Sequence, residues 1–371
     1  MHPRSADLAY HFVNSGETER AFRYSLAAGR QAMAAFAFSD ALGFLEQSRS
    51  LEPETVNADD QFRMRFLLGK ALSGVGRLDD CVQELQNAAT LADKSLDRFE
   101  AYFALAESRY RQGDYRAADQ GYRRSFAELG ERLPKTIIGK LFRILSSLFT
   151  IHLMPRGLLR LLTRKDEKKT IQTVQMYPRF SQLMSHLDMF GFLDAAVRSC
   201  SLSKSQNCLE HECVTFGYYA VLLRLSGIPI IANVVMRRAL QLNDKLESTA
   251  TLGASKYNEG VVDYLKGKLQ DAEQKLVESD NLLTKVDDYH RIFTVHFLRH
   301  TWSIRGHASK IEEFAKKEHK VSSDSNEEIT MAYGDYGLAD ALSRQGDFEQ
   351  AIFLGARAVS VLEKWNGVFK S

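Results

Sequence analysis

The sequence predicts an all-α chain, a right-handed solenoid of paired antiparallel helices with one pair about every 40 residues. Two observations carry that expectation. A glycine followed five positions later by a small or apolar residue recurs at Gly16/Ala21, Gly76/Cys81, Gly113/Ala118, Gly191/Ala196, Gly227/Ala232, Gly267/Ala272, Gly306/Ile311 and Gly346/Ala351. Abundant Ala, Leu, Glu, Arg and Lys, six prolines and almost no alternating β-branched runs leave little for strands.

The unit is clearest in Tyr333 to Ala358, where two apolar-periodic runs flank Gly346-Asp347. Gly346 supplies the positive-φ turn, and the small residues Gly337, Ala339, Ala351 and Ala358 let the two helices approach closely. Successive turn glycines lie 60, 37, 78, 36, 40, 39 and 40 residues apart. The interval of 60 holds an extra helical element around Phe38 to Ser50, which keeps the pattern without its glycine. The interval of 78 holds an insertion.

A chain of 371 residues is too long for one ordinary core, yet no Pro-, Gly- or Ser-rich linker divides it, and an array of locally packed units resolves the conflict. With 49 basic and 47 acidic residues the net charge is +2, which gives no overall drive toward nucleic acid or membrane. Four cysteines without the spacing of a secreted scaffold, and no signal peptide, predict a reducing compartment, the cytoplasm. The longest apolar run, Leu141 to Met154, is broken by Arg143 and too short for a bilayer helix.

Taken in order, the opening reads as a short helix, a turn at Asn14-Ser15-Gly16, a long helix from about Thr18, and another capped by Ser39 and stopped before Pro53. The succession LAYHF, GETERAFRY, AGRQA and FSDALGFLEQS, between Leu8 and Ser48, resembles the start of the helical-repeat region that follows the nucleotide-binding module in STAND-type signalling ATPases. Relatives of that kind are fused to nucleotide cyclases, kinases or transcription activators.

Phe62 to Ala92 and Arg98 to Leu129 then fit the small-large-small pattern of tetratricopeptide hairpins, the longer period meaning extended helices or loops. Residues 133–170 break the repeat, carrying nine Lys or Arg against Asp166 and Glu167. Ile137, Leu141, Ile144, Leu145 and Leu148 share a helical face, with Lys140, Arg143 and Ser147 away from it. Pro155-Arg156-Gly157 turns the chain into a second short amphipathic piece. The expected arrangement has the apolar face capping the solenoid's own core, with Lys140, Arg143, Arg160 and Arg164 at the rim as a basic docking surface. The alternatives are that this face docks on another domain or a partner, or that it is an interfacial membrane helix. A similar apolar, basic interruption between repeat blocks strengthens the STAND resemblance.

Repeats resume from Ile171 through Leu362, with Ser322 to Asn326 expected as a loop between two hairpins. This gives three regions: N-terminal repeats at 1–132, a basic amphipathic insertion at 133–170, and C-terminal repeats at 171–371. No polar capping repeat closes the chain, so a fragment of a longer protein is expected.

No phosphate loop, nucleophile elbow, zincin motif or Rossmann fingerprint occurs, so neither an enzyme nor a bound cofactor is expected within these residues. Cys200, Cys208, His211 and Cys213 lack the C-x-x-C knuckle of zinc sites. His296 and His300, one helical turn apart, lack an accompanying carboxylate at useful spacing, so no metal is expected.

Counting back from the turn glycines, the inward positions of the first helices are Ala254, Tyr257, Val261 and Tyr264; Phe293, His296, His300 and Ser303; and Tyr333, Tyr336, Asp340 and Ser343. The candidate groove residues are therefore Tyr257, Tyr264, His296, His300, Tyr333, Tyr336 and Asp340, with packing of half the rings between helices as the competing arrangement. Such a surface suits a peptide, a protein partner or another domain of the same polypeptide better than a phosphate backbone, so no nucleic-acid partner is expected. The predicted role is the non-catalytic sensor arm of a STAND-like regulatory ATPase, and the alternative is a free-standing tetratricopeptide adaptor.

Overall fold

The computed structural model describes residues 5–162, 167–206, 208–284, 286, 288–324 and 327–369. Helices alone make up the regular structure among these residues. The chain divides into two compact units, Met1–Leu133 and Pro134–Ser371.

The first unit contains α1 (Ser5–Ser15), α2 (Thr18–Ala34), α3 (Phe38–Ser50), α4 (Ala58–Gly74), α5 (Leu78–Leu91), α6 (Ser95–Arg111) and α7 (Tyr115–Glu128). The second contains α8 (Ile137–His152), α9 (Arg156–Leu162), α10 (Glu167–Leu187), α11 (Met189–Ser205), α12 (Leu209–Leu225), α13 (Pro229–Asn243), α14 (Thr249–Leu265), α15 (Leu269–Leu283), α16 (Asp288–Arg305), α17 (Ala308–Asp324), α18 (Glu328–Gln345) and α19 (Phe348–Phe369).

One turn builds nearly every hairpin. Gly16, Gly76, Gly113, Gly227, Gly267, Gly306 and Gly346 all adopt φ between 75° and 87°. The next residue donates its N–H to the carbonyl five positions back, as in Arg77 to Leu72 at 2.9 Å and Asp347 to Leu342 at 3.1 Å, which satisfies the carbonyls a helix end leaves over. The geometry then returns the fifth residue onto the preceding helix, and Ala21, Cys81, Ala118, Ala232, Ala272, Ile311 and Ala351 are all buried.

Three local expectations are corrected, at Gly191, Ser39 and Ser322 to Asp324, and a fourth, the hairpin without a glycine, is met. Gly191 lies inside α11 rather than in a turn; the turn is made by Asp188, whose side chain accepts the N–H of Phe190 at 3.0 Å. Ser39 is the second residue of α3 and Ala37 the cap. The hairpin between α2 and α3 turns without a glycine because Phe36 itself takes φ 57°, and Ala41, five residues on, is fully buried. Ser322 to Asp324 belong to α17, while 325–326 lie outside the described residues.

Within the second unit, the first helices of successive hairpins pack on one another, α10 on α12, α12 on α14, α14 on α16 and α16 on α18. The second helices make no comparable contacts among the described residues, so the array curves with α10, α12, α14, α16 and α18 inside. The curvature brings α10 back against α19, and Arg179 of α10 lies 3.6 Å from Glu327, the residue before α18. Core clusters sit between the layers, one around Phe216, Tyr219 and Val235, another around Val261, Leu298, Trp302 and Phe314.

Candidate functional site

The inner face of the second unit carries a connected run of rings. Tyr218 of α12 stacks on His290 of α16 at 5.7 Å between centroids and meets Tyr257 edge-on at 6.4 Å. Phe297 links Tyr257 and Tyr264, and His296 sits 4.6 Å from His300 and 5.4 Å from Tyr333. Of the groove residues predicted from sequence, Tyr257 is buried with Ala254 and Val261; Tyr264, His296, His300, Tyr333 and Asp340 are partly exposed, and Tyr336 is exposed. Tyr257 and Val261 pack into the core around Trp302.

Beneath the histidines lies a buried ion cluster. Arg299, 1% exposed, donates from Nε to Glu318 of α17 at 2.6 Å, and its Nη1 lies 3.7 Å from Asp340 of α18. His296 Nδ1 is 2.6 Å from the other Glu318 oxygen, and the Arg299 guanidinium stands 5.6 Å over the Tyr336 ring. Burial works to raise the Glu318 pKa, but the hydrogen bonds and charges of His296 and Arg299 together hold it below the ordinary carboxylate range.

Burial, helped by the neighbouring His296 and Arg299, lowers His300 to about 4. Neutral at pH 7, its Nε2 is placed to accept from Arg299 Nη2 at 3.3 Å. Gly337 makes the cluster possible, since a Cβ there would stand 2.6 Å from the Glu318 carboxylate and 2.8 Å from Arg299 Nε.

At the other end of the face a cavity of about 330 Å³ opens between α10, α11, α12, α14 and α16. Its walls are mainly apolar, including Phe192, Tyr218, Leu222, Tyr257 and Phe293. The Ser199 hydroxyl on its lining is buried and has no hydrogen-bond partner among the described residues. Buried hydroxyls are ordinarily satisfied, so this one stands out beside an apolar cavity.

Counting in the last three hairpins alone found two of the cavity's walls, Tyr257 and Phe293. The same count from Gly191 selects Pro178, Ser181 and Ser185, which line it, and from Gly227 it selects Val221. Ser199, on a second helix, lay beyond that rule.

Lys140 and Arg143, expected at the rim of a basic docking surface, are instead paired within the fold. The helix α8 turns its polar edge inward: Lys140 pairs with Asp188, and Arg143 donates to Asp194 at 2.7 Å and to Tyr177 at 3.3 Å. Ser147 and Ile151 on the same edge are buried. Lys204 of α11 donates to the carbonyls of Thr150, Ile151 and Met154 at 2.9, 2.8 and 2.7 Å, capping the negative end of α8. Ion pairs to α11 fix the polar edge, so of the apolar face expected against the core Ile137, Leu141 and Leu145 point outward, while Ile144 is half-buried and Leu148 packs against the core around Phe216. Arg164 and the Arg160 side chain lie outside the described residues.

The thiols of Cys200 and Cys213 donate to the carbonyls of Thr215 and Ala239, and burial pushes Cys200 up to about 12. Among the described residues no helix is long and apolar enough to cross a membrane.

No family model matches this chain, and no curated protein matches it. Among solved structures it is similar in fold to a Rap protein complexed with Competence and Sporulation Factor, at 13% identity and a TM-score of 0.51, covering 95% of this chain and 99% of that one. The apo quorum sensor NprR from B. thuringiensis also aligns, at 12% identity and a TM-score of 0.46, over 95% of this chain and 92% of that one. Yeast Tom70 aligns at 13% identity and a TM-score of 0.31, over 92% of this chain and 77% of that one. The first of these likenesses agrees with the all-helical, tetratricopeptide-like solenoid read from the turns.

Proposed function

We propose that the second unit receives a ligand, holding an extended peptide segment along the inner face of α10, α12, α14, α16 and α18. The carrying observation is the cavity of about 330 Å³ with its mainly apolar walls on the inner face. An apolar side chain of the segment seats there, while the rings of Tyr218, Tyr264 and Tyr333 flank the backbone. A phosphate backbone is poorly served, because Arg299 is already engaged by Glu318 and Asp340. The similarly folded Rap protein, solved with a bound factor, supports a ligand-holding use of this architecture.

In the wider reading that the opening resemblance supports, this chain is the non-catalytic sensor region of a STAND-like regulatory ATPase, passing occupancy of the groove to nucleotide-binding and output domains. A free-standing adaptor scaffolding other proteins is the second reading. A phosphate loop encoded upstream of Met1 selects the first.

The binding reading is tested by panning a phage-displayed random peptide library on the intact chain. Enriched peptides carry large apolar residues and lose at least tenfold in affinity against Ser199→Leu, which fills the cavity; equal binding to that variant, or no enrichment, contradicts it.

A further inference from the structure

The outward face of α8 has no function in the reading above. Ile137, Ile138, Leu141, Phe142, Leu145, Phe149 and Leu153 are 43–80% exposed, and no charged residue interrupts them. At those fractions the seven side chains leave roughly 900 Å² in water, beyond the few hundred Å² of an ordinary surface patch. It is comparable to the approximately 800 Å² that one partner contributes to a standard interface.

The spacing of four of these residues names the kind of surface that covers it. Ile138, Phe142, Leu145 and Phe149 follow one another at four, three and four residues, the seam by which one helix packs along another. The helix is anchored for that purpose along its opposite edge, by Lys140 to Asp188, Arg143 to Asp194, and Lys204 at its last carbonyls. These contacts also decide against anionic lipid, because they take the two cations of α8 into internal ion pairs on the side away from the exposed face.

We infer that this face is a self-association surface, on which α8 of a second copy packs antiparallel across a two-fold axis. A two-fold contact sets each residue against the same patch of its copy, so any charge in it would meet a like charge. This face has none. The small Ser146, exposed near the middle of the seam, leaves room for close approach at the axis.

Sedimentation velocity on the intact chain tests the inference, with Phe142→Glu/Leu145→Glu as the disrupting variant. The wild-type chain sediments as a dimer and the double variant as a monomer, with the same circular dichroism, because both side chains point away from the fold. A wild-type monomer at the highest attainable concentration, or a dimer persisting in the variant, overturns the inference. So does flotation of the wild-type chain, and not the variant, with phosphatidylserine vesicles, which would give the face to a membrane.

Discussion

The two units use the same hairpin and fill it differently. Among the described residues of the first unit Glu84 is the one buried charged residue, and both of its partners, Arg49 and Arg65, reach solvent. In the second unit Asp194, Lys204, Glu212, Asp263, Asp280, Arg299, Glu318, Glu327 and Asp335 are all buried. Buried ion pairs seldom add stability over well-packed apolar residues, so their concentration in one unit marks geometry that must be held rather than a sturdier core. What they hold is the inner face and the polar edge of α8.

Breaking that cluster should produce the largest effect. Arg299→Ala leaves Glu318 buried without its main counter-charge and should cost about 3–5 kcal/mol. Glu84→Ala frees two arginines that water already reaches and should cost about 1 kcal/mol. Urea denaturation of the two variants checks the contrast, and equal losses would remove it.

Acid should sharpen the same division. Burial lowers His186 and His300 to about 4 from an ordinary 6.5. Between those values the unfolded chain binds protons that the folded second unit refuses, so stability falls as pH drops from about 6.5 to about 4. Amide exchange across that range should rise first in α10 and α16, and His300→Phe should flatten part of the dependence.

What the units share should respond alike. Ala118 and Ala272 occupy the same position after their glycines and are both fully buried, so Leu at either should overpack a hairpin and cost about 1–3 kcal/mol. Thermal melts that differ widely between these two variants would show that the common register is wrong. The smallest change expected is a gain: Phe36→Gly relieves a left-handed bulky residue and should stabilise the first unit by roughly 0.5–1 kcal/mol.

The repeat was legible because its turn depends on one residue, a glycine in the left-handed region. Phe36 shows the limit, since packing there forces a turn that its own residue opposes. The groove was half legible. Counting from the turns found the rings of α14, α16 and α18, whereas Ser199 reaches the cavity from the other layer. The orientation of α8 was not legible, because periodicity shows that a helix has two faces without saying which one the fold takes. Asp188, Asp194 and Lys204 decide that, and they lie about 50 residues further along the chain.

Hydrogen–deuterium exchange of the intact chain, with and without a peptide selected on it, tests most directly whether the second unit is the one built to bind. Protection confined to α10, α12, α14 and α16, with α2, α4 and α6 unchanged, is the result expected. Protection centred on the first unit would contradict it.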